Sequence, residues 1–331
     1  MIPDPFEKSF DTFSRKDMNS DASFVIPVFN GERYLGEAIQ SCLDQTLMPQ
    51  SIIVVDDAST DGTANIIRSF AATYPDIVMP VFREKNGGRS LARNSGIEKV
   101  STEYCLFLDA DDLAEPNRVE RQVAFMERNP DVFASSSFVS YIDEKGRSFS
   151  KGKLDVLTRE QFANQMKNDE VIGFFTSATI VRTSVFRKEG ILFREVFRQA
   201  QDMDLWNRIS ERHVILAQPE YLSRYRIHGG SVTNRKYYRS RLFYEYVRDC
   251  MRRRRHGEGE RSWEAFQEAW RSRPFWQKFS SWRKTTAKKY YHEAGFALAR
   301  RQYVLVLAFF VVSLFLQPSY ASRRTLSKLR K

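Results

Sequence analysis

The chain has 331 residues, enough for one domain of roughly 220–250 residues and a smaller appended segment. Apolar residues make up 42% of it and charged residues 28%, a balance that permits a packed core and excludes wholesale disorder. The net charge of +11 is uneven: residues 1–230 contain 28 Lys and Arg against 34 Asp and Glu, whereas residues 231–331 contain 24 against 7. This asymmetry predicts two segments with different partners.

The three cysteines, Cys42, Cys105 and Cys250, are far apart in the sequence and form no CxxC pair. They predict free thiols in a reducing compartment, and therefore a cytoplasmic protein. Residues 1–20 mix acidic and basic side chains without an apolar run, so we expect a loose leader and not a secretory signal.

From residue 23 the chain alternates between short apolar, β-branched runs and segments with helical spacing. The expected strands are 23–29, 51–55, 77–83 and 104–108, and the expected helices are 33–45, 62–73 and 90–100. This alternation predicts an α/β domain with a mainly parallel, Rossmann-like sheet flanked by helices. Ligands of such sheets bind beyond the carboxyl ends of the strands. The polar residues that fall there are Asn30, Asp56, Asp57, Asn86 and Asp109.

Beyond residue 130 the pattern is coarser. We expect strands at 132–143 and 173–181, a helix at 204–210 and a short strand at 214–216. After about residue 236 the chain reads as helices rich in aromatic residues and arginine. The expected division is a leader over 1–20, an α/β domain over 21–235 and a basic helical extension over 236–331.

The strongest chemical feature is the sequence FLDADD at residues 107–112, at the end of an expected strand. Alternating carboxylates after a buried strand place Asp109 and Asp111 close together. Oxygen ligands of this kind hold Mg²⁺ or Mn²⁺, and such a metal bridges phosphate oxygens. The alternative interpretation is a polar loop that caps the next helix.

Two more polar segments belong to the same end of the sheet. Residues 54–63 (VVDDASTDGT) could accept hydrogen bonds from a base or a ribose, or could form a helix-capping cluster. Residues 83–96 (REKNGGRSLARNSG) combine glycines with Arg93, whose guanidinium could hold a phosphate; the alternative is a turn before an ordinary helix. Because this is no GxxxxGK[ST] loop, ATP or GTP hydrolysis is disfavoured.

In order and spacing, these segments resemble those of the family 2 glycosyltransferases, whose fold is called GT-A. The resemblance starts at IPVFNGE (26–32), runs to about residue 116, and returns in QDMDLW (201–206) and YRIHGGS (225–231). It implies a GT-A fold and transfer of a sugar from a nucleotide-sugar, usually a UDP-sugar, to a glycan, lipid-linked or protein acceptor, as in cell-envelope polysaccharide biosynthesis. Two departures are Gln201, where the family often has Glu, and Ala58, which replaces a common Gly.

The resemblance also implies roles for individual residues. The implied donor-binding residues are Pro27, Phe29, Asn30, Glu32, Asp56, Asp57, Asn86, Arg93, Asp109 and Ala110. Among them Asp57 would read the base, and Asp109 would contact the ribose or a metal-bound water. Asp111, with His228, would hold Mn²⁺ or Mg²⁺ on the diphosphate, although His228 could instead be an ordinary loop histidine. Asp202 would be the general base of an inverting transfer.

Two other functions use some of the same features. A nucleotidyltransferase also combines paired carboxylates with an α/β sheet, but this chain has no Gly-rich triphosphate loop near its N-terminus. A non-catalytic nucleotide-sugar-binding protein would have no need of Asp111 and Asp202. The inverting glycosyltransferase is therefore the preferred interpretation.

The basic extension carries four consecutive arginines at 252–255, with Trp263, Trp270, Trp276 and Trp282 nearby. It is either a solvated helix face or a surface drawn to an anionic partner, such as the inner face of a membrane in peripheral contact. No nucleic-acid-binding motif accompanies the charge, so we expect no nucleic acid partner. The apolar run at 303–316 is shorter than the roughly 18–20 residues of a membrane span. Buried, interfacial and spanning placements are open for it, and a resemblance to C-terminal hairpins of some relatives favours the buried one.

Overall fold

A computed structural model describes residues 19–228, 237–299 and 302–319. Its strands are β1 (Asn19–Val28), β2 (Met48–Asp56), β3 (Val78–Phe82), β4 (Tyr104–Phe107), β5 (Leu113–Ala114), β6 (Val132–Ile142), β7 (Ser148–Gly152), β8 (Thr179–Arg182) and β9 (Val214–Arg226). Its helices are α1 (Leu35–Leu43), α2 (Thr63–Thr73), α3 (Arg89–Ile97), α4 (Arg118–Arg128), α5 (Arg159–Lys167), α6 (Ser184–Arg187), α7 (Gln201–Ser210), α8 (Tyr237–Arg255), α9 (Trp263–Arg271), α10 (Phe275–Ala299) and α11 (Tyr303–Leu316). A 3₁₀ turn, Thr176–Ala178, precedes β8.

The strands form one sheet in the order β3-β2-β1-β4-β8-β6-β9-β5, with β7 paired to β6. β1 to β4 are mutually parallel, β8 is antiparallel to both β4 and β6, and β9 is parallel to β6. It follows that β6 and β9 run in the same direction as β1 and β4. The carboxyl ends of six strands therefore meet at one edge, and the expected α/β fold with a mainly parallel sheet is confirmed.

The central strands contain continuous apolar runs because helices cover the sheet. Phe24, Val25 and Ile26 of β1 are fully buried, as are residues 52–55 of β2. The buried residues of α1 recur with helical spacing and face this core. They are Leu35, Ala38, Ile39 and Cys42.

Strand boundaries differ from the expected ones in three places. β1 begins at Asn19, inside the segment assigned to the leader, and residues 1–18 lie outside the described part of the chain. The expected strand at 173–181 is mostly loop and 3₁₀ turn, with β8 beginning only at Thr179. The expected short strand at 214–216 is wrong, because β9 continues to Arg226. Its pairing with β6 shifts register between Gln218 and Tyr221, and that bulge interrupts the apolar pattern that marked the strand.

The C-terminal helices pack in two groups. α8 and α9 form an aromatic cluster with the loop before α7, in which Phe197, Phe243, Tyr246 and Phe266 are buried. α11 packs on α10, where the Ser313 hydroxyl donates to the carbonyl of Ala287. None of the helices in the described ranges is both long enough and apolar enough to cross a membrane.

The expectation that 303–316 is buried is wrong. Most residues of α11 are exposed, among them Val304 at 83% and Phe315 at 86%, and only Ser313 is fully enclosed. The apolar composition suggested a core helix, but only one face of α11 meets α10.

Gly96 provides a test of how closely α3 approaches the sheet. A Cβ at Gly96 would lie 2.4 Å from Cγ1 of Val25 and 3.1 Å from Cγ2 of Val55. We therefore expect Gly96→Ala to lower the free energy of unfolding by about 1–3 kcal/mol through overpacking, measured by urea denaturation. The matched control is Gly259→Ala, whose added Cβ meets nothing within 4 Å. Equal unfolding midpoints for the two variants would contradict this packing.

Candidate active site

The loops that follow β1 and β2 are bound to each other by side chains. The Oδ1 atom of Asn30, a residue with φ of 51°, accepts a hydrogen bond of 2.8 Å from the backbone N–H of Thr60. The Oε2 atom of Glu32 accepts one of 2.6 Å from the N–H of Gly62. Phe29 is 51% exposed beside this unit, whereas Pro27 lies within β1. Both loops thus form one rigid platform at the edge of the sheet.

Asp57 organises the next loop, residues 83–88. Its buried carboxylate accepts hydrogen bonds from Nη1 of Arg83 at 2.5 Å, from the N–H of Gly87 at 3.0 Å and from the N–H of Gly88 at 2.7 Å. Gly88 has φ of 86°, a conformation that favours glycine. The side-chain amide of Asn86 donates to the carbonyl of Asp57. The carboxylate predicted to read the base is therefore already surrounded by donors of the loop 83–88.

Asp56 has a similar local role. This buried residue ends β2, and its Oδ1 atom accepts a hydrogen bond of 2.9 Å from the N–H of Ser59. The contact closes the turn that carries Ala58 at a φ of 60°. Ala58 occupies a left-handed conformation that a glycine would adopt more easily, which explains why Gly is the common residue there.

Arg93 and Asp109 form a buried ion pair. Nη2 of Arg93, only 2% exposed, lies 2.6 Å from Oδ1 of Asp109, and the N–H of Asp109 donates to the hydroxyl of Ser177. Burial by itself would raise the pKa of Asp109, but the guanidinium groups of Arg93 and Arg89 offset burial and hold the pKa below its usual range. Asp109 is therefore ionised at neutral pH.

Asp111 and His228 meet although they are 117 residues apart in the sequence. Oδ2 of Asp111 lies 2.9 Å from Nε2 of His228, and the side chains are 35% and 17% exposed. The imidazole also packs against the ring of Tyr34, at a centroid distance of 5.3 Å. Ala110 precedes Asp111 and lies close to Gly31 of the first loop. The pairing follows from topology, because β4 and β9 end at the same edge of the sheet.

Arg226, which the sequence analysis did not single out, holds this region together. It is 1% exposed, its N–H donates to Oδ1 of Asp112 at 2.8 Å, and its Nε donates to the carbonyl of Asp111 at 2.8 Å. Its Nη2 lies 2.7 Å from Glu37. The other oxygen of Asp112 is buried and has no hydrogen-bond partner among the described residues. Burial and the neighbouring carboxylates of Asp111 and Asp109 raise the pKa of Asp112 well above its usual range.

Asp202 and Asp204 lie in the first turn of α7 but in different environments. Oδ2 of Asp202 accepts a hydrogen bond of 3.2 Å from the hydroxyl of Thr176, and the carboxylate is half-buried. Asp204 is 0% exposed and pairs with both Arg194 and Arg208. Asp202 alone of the two is accessible to a substrate.

Arg89 is a second residue that the sequence analysis did not single out. It begins α3 and makes no hydrogen bond or ion pair with any residue that the structure describes. Desolvation opposes its charge, yet Asp109, Asp111, Tyr225 and Asp202 hold its pKa above the usual value. Its charge is therefore close enough to the carboxylates of Asp109, Asp111 and Asp202 to interact with them.

A cavity of about 310 Å³ lies beside Arg89, a volume typical of a small-molecule site. Its lining residues are Asn86, Gly87, Gly88, Arg89, Ser90, Glu195, Phe197, Arg198 and Gln201. The cavity joins the loop held by Asp57 to the start of α7. No sequence motif pointed to its far wall, residues 195–198.

The residues present suit a divalent cation that shares its ligands with a substrate. Asp111 and His228 offer an oxygen and a nitrogen, and Mg²⁺ and Mn²⁺ usually add water and phosphate oxygens to one or two protein ligands. In the described ranges no three or more His, Cys, Asp or Glu residues are grouped to hold a metal by themselves.

Comparison with known proteins places these features in a family. The sequence profile described as Glycosyl transferase family 2 matches residues 23–190. An uncharacterized glycosyltransferase of Rickettsia conorii is 31% identical over 69% of this chain and 37% of its own length. One of Methanocaldococcus jannaschii is 32% identical over 66% of this chain and 73% of its own length. This chain thus spans little more than a third of the Rickettsia relative.

Solved structures with a similar fold are also glycosyltransferases. Staphylococcus aureus TarS 1-349 in complex with UDP-GlcNAc aligns over 90% of this chain and 92% of its own, with a TM-score of 0.54 and 16% identity. Mannosyltransferase PcManGT from Pyrobaculum calidifontis, in complex with GDP-Man and Mn²⁺, aligns over 76% and 69%, with a TM-score of 0.52 and 19% identity. At this identity the likeness shows a shared GT-A fold. The family match, the named relatives and the fold agree, and the chain belongs to glycosyl transferase family 2.

Proposed function

We propose that this enzyme transfers a sugar from a UDP-sugar to an acceptor hydroxyl, with inversion at the anomeric carbon. The observation that carries the proposal is the convergence of three features at one edge of the sheet. They are the Asp111–His228 pair, the cation of Arg89, which is unpaired among the described residues, and the accessible carboxylate of Asp202.

The nucleotide would lie on the platform formed by the loops after β1 and β2. Its exposed Phe29 offers a face for a base, and the backbone of residues 86–88 borders the cavity. Asp57 would act on the nucleotide by fixing the shape of that loop, since its carboxylate is already hydrogen-bonded. The TarS and PcManGT structures hold UDP-GlcNAc and GDP-Man, which supports a nucleotide-sugar donor.

The diphosphate would lie between Arg89 and the Asp111–His228 pair. Arg89 presents a guanidinium, a group whose donors match phosphate oxygens. Asp111 and His228 would hold Mn²⁺ or Mg²⁺, which as a Lewis acid offsets charge on the leaving diphosphate. The buried Arg93–Asp109 pair would keep the floor of this region fixed.

Asp202 would be the general base. It would take the proton of the acceptor hydroxyl while that oxygen forms a bond to the anomeric carbon. The bond from this carbon to the diphosphate oxygen breaks, and the nucleoside diphosphate leaves with the electron pair. The hydroxyl of Thr176 donates to one oxygen of Asp202 and the N–H of Met203 donates to the other, and the two contacts orient the carboxylate. Inversion rests on the resemblance to the family's single-displacement enzymes.

The acceptor that we propose is a glycan or a lipid-linked glycan of the cell envelope, reached at the inner face of the membrane. The three free cysteines, all buried, suit a reducing compartment. The exposed apolar helix α11 suits a position at a lipid surface. The donor, by contrast, would enter from the aqueous side.

We expect Asp111→Asn to remove the contribution of Mn²⁺ to donor binding, because an amide is a poor ligand for a hard cation. Donor affinity in Mn²⁺ should fall by at least about tenfold, to the value measured with chelator. Isothermal titration with UDP-sugar, with and without Mn²⁺, measures this. The control is Asp76→Asn, an exposed residue before β3. An undiminished effect of Mn²⁺ in Asp111→Asn would remove Asp111 from the metal site.

We expect Arg89→Gln to weaken binding of UDP by about 10–100-fold and to leave uridine binding unchanged, because its proposed partner is the diphosphate. Arg212→Gln, at a residue 61% exposed, is the matched control for loss of one positive charge. Fluorescence or calorimetric titration of both ligands gives the comparison. A parallel loss for uridine and UDP would show that Arg89 shapes the cavity and does not contact phosphate.

We expect Asp202→Asn to slow transfer by about 10²–10⁴-fold, the usual contribution of a general base. Donor affinity should stay within a few fold, because the lost interaction belongs to the transition state. Single-turnover transfer and the donor Kd measure the two effects. A near-normal transfer rate would exclude Asp202 as the base.

Asp204→Asn is the matched substitution two residues away. Asp204 is fully buried between two arginines, so the variant should lose stability, on the order of 3 kcal/mol in urea unfolding. Asp202→Asn should unfold close to wild type, since asparagine can still accept the hydrogen bond from Thr176. If Asp202→Asn lost stability and Asp204→Asn unfolded like wild type, the roles assigned to the two residues would have to be exchanged.

A further inference from the structure

The hairpin formed by α10 and α11 concentrates the exposed apolar surface of the described chain. Of eighteen exposed large hydrophobic residues, thirteen lie between Phe275 and Phe315. Single exposed apolar side chains are ordinary, but a contiguous apolar surface of this kind marks an interaction site.

α11 uses only one face for packing within the protein. Phe309 and Phe310 contact Tyr290 and Tyr291 at ring distances of 5.7 and 6.5 Å, and Ser313 bonds to α10. The rest of α11 is apolar and exposed. Its most exposed side chains are Tyr303, Val304, Leu307 and Phe315. A helix that is apolar all round is normally buried, so the exposed faces need an apolar environment from outside the part of the chain that the structure describes.

The first turns of α10 carry an aromatic stripe with basic neighbours. Phe275, Phe279 and Trp282 stack in sequence at 6.0 and 5.7 Å, and Trp276 is 72% exposed. Residues 271–299 contain seven Lys and Arg and one Glu. Because α11 runs antiparallel along α10, its C-terminal end points toward this stripe. Tryptophan beside lysine and arginine is typical of a membrane interface.

We propose that the α10–α11 hairpin docks on an anionic lipid bilayer, with α11 lying in the boundary between headgroups and acyl chains. α11 has 14 residues and is about 21 Å long, too short for the roughly 30 Å hydrocarbon core. A second copy of the chain would bring like charges together, whereas anionic lipid complements the basic rim. Docking stands without the proposed function, and it rests on that function only in implying a lipid-linked acceptor.

The arginine run at 252–255 is not the docking surface. Arg253 pairs with Glu258, Arg254 with Glu211 and Glu260, and Arg255 with Asp169. Three of the four arginines thus form ion pairs within the protein. The basic residues that we assign to the lipid contact are Arg283 and Lys284 of α10, which are exposed next to Trp282.

The hairpin is attached close to the active site. Phe296 of α10 packs against Tyr141 and Phe149, at 5.8 and 6.2 Å, and Tyr141 packs against Tyr225 at 5.9 Å. Tyr225 lies on β9, two residues before Ile227 and three before His228. A bilayer held by the hairpin would therefore place a lipid-linked acceptor near the end of β9 and within reach of Asp202.

Vesicle sedimentation of the full chain tests the proposal without any sugar substrate. The wild type should bind phosphatidylcholine vesicles containing phosphatidylglycerol much more tightly than pure phosphatidylcholine vesicles. Leu307→Gln/Val311→Gln should weaken this binding by at least about tenfold, because both exposed side chains would enter the bilayer. Arg283→Gln/Lys284→Gln should weaken it by about 30-fold on anionic vesicles. The matched control, Arg159→Gln/Arg212→Gln, removes two exposed cations of the catalytic domain.

Wild type that stays in the supernatant with anionic vesicles, or hairpin variants that bind like wild type, would overturn the proposal. Sedimentation velocity without lipid tests the alternative that a second copy of the chain covers this surface. A concentration-dependent dimer that Leu307→Gln/Val311→Gln abolishes, with no vesicle binding, would assign the surface to self-association. UDP binding of each variant in solution should remain normal, so failure to dock and failure of the nucleotide site are distinguishable.

Brominated lipids measure the depth of the hairpin. Fluorescence of the bound protein should be quenched most by bromine near the headgroups, and Trp276→Phe/Trp282→Phe should remove most of the quenching. Strongest quenching by bromine at the centre of the bilayer would overturn the interfacial placement.

Discussion

The crowding of three carboxylates after β4 is the physical constraint on which the site depends. Asp109, Asp111 and Asp112 occupy three of four consecutive positions, and like charges this close cannot all ionise without compensation. Arg93 pairs with the first, and the backbone N–H of Arg226 bonds to the third. Asp111, the most exposed of the three, remains accessible from outside the protein. The surrounding cations are therefore structural requirements of the carboxylate cluster.

β9 completes this arrangement. It runs parallel to β6, so its end reaches the same edge as the end of β4 and brings Arg226 and His228 to Asp111. The same strand carries Tyr225, which connects through Tyr141 to the base of the α10–α11 hairpin. The carboxylate cluster and the apolar hairpin are thus linked by one strand. If the hairpin docks on lipid, the candidate active site is held at a fixed position relative to the membrane.

The α/β fold and most central strands could be predicted from sequence, because continuous apolar runs and strand-end polar residues are local signals. The ion pairs could not. Asp202 and Asp204 belong to one motif and look equivalent, yet Arg194 and Arg208 enclose Asp204 alone. Four consecutive arginines suggested a binding surface, but three of them pair with acidic residues distant in sequence or beyond the helix end. Which charges are paired depends on contacts between separate segments.

The sequence by itself determined the family, the sheet and the edge at which ligands bind, since motif order and apolar periodicity are written along the chain. Only the tertiary structure decided which of the motif residues are accessible. It showed that Asp57 holds the loop of residues 83–88, that the guanidinium of Arg89 has no partner among the described residues, and that most of α11 is exposed. The physical reason is that burial and pairing depend on neighbours in space. The sequence of an apolar helix does not show how many of its faces are packed.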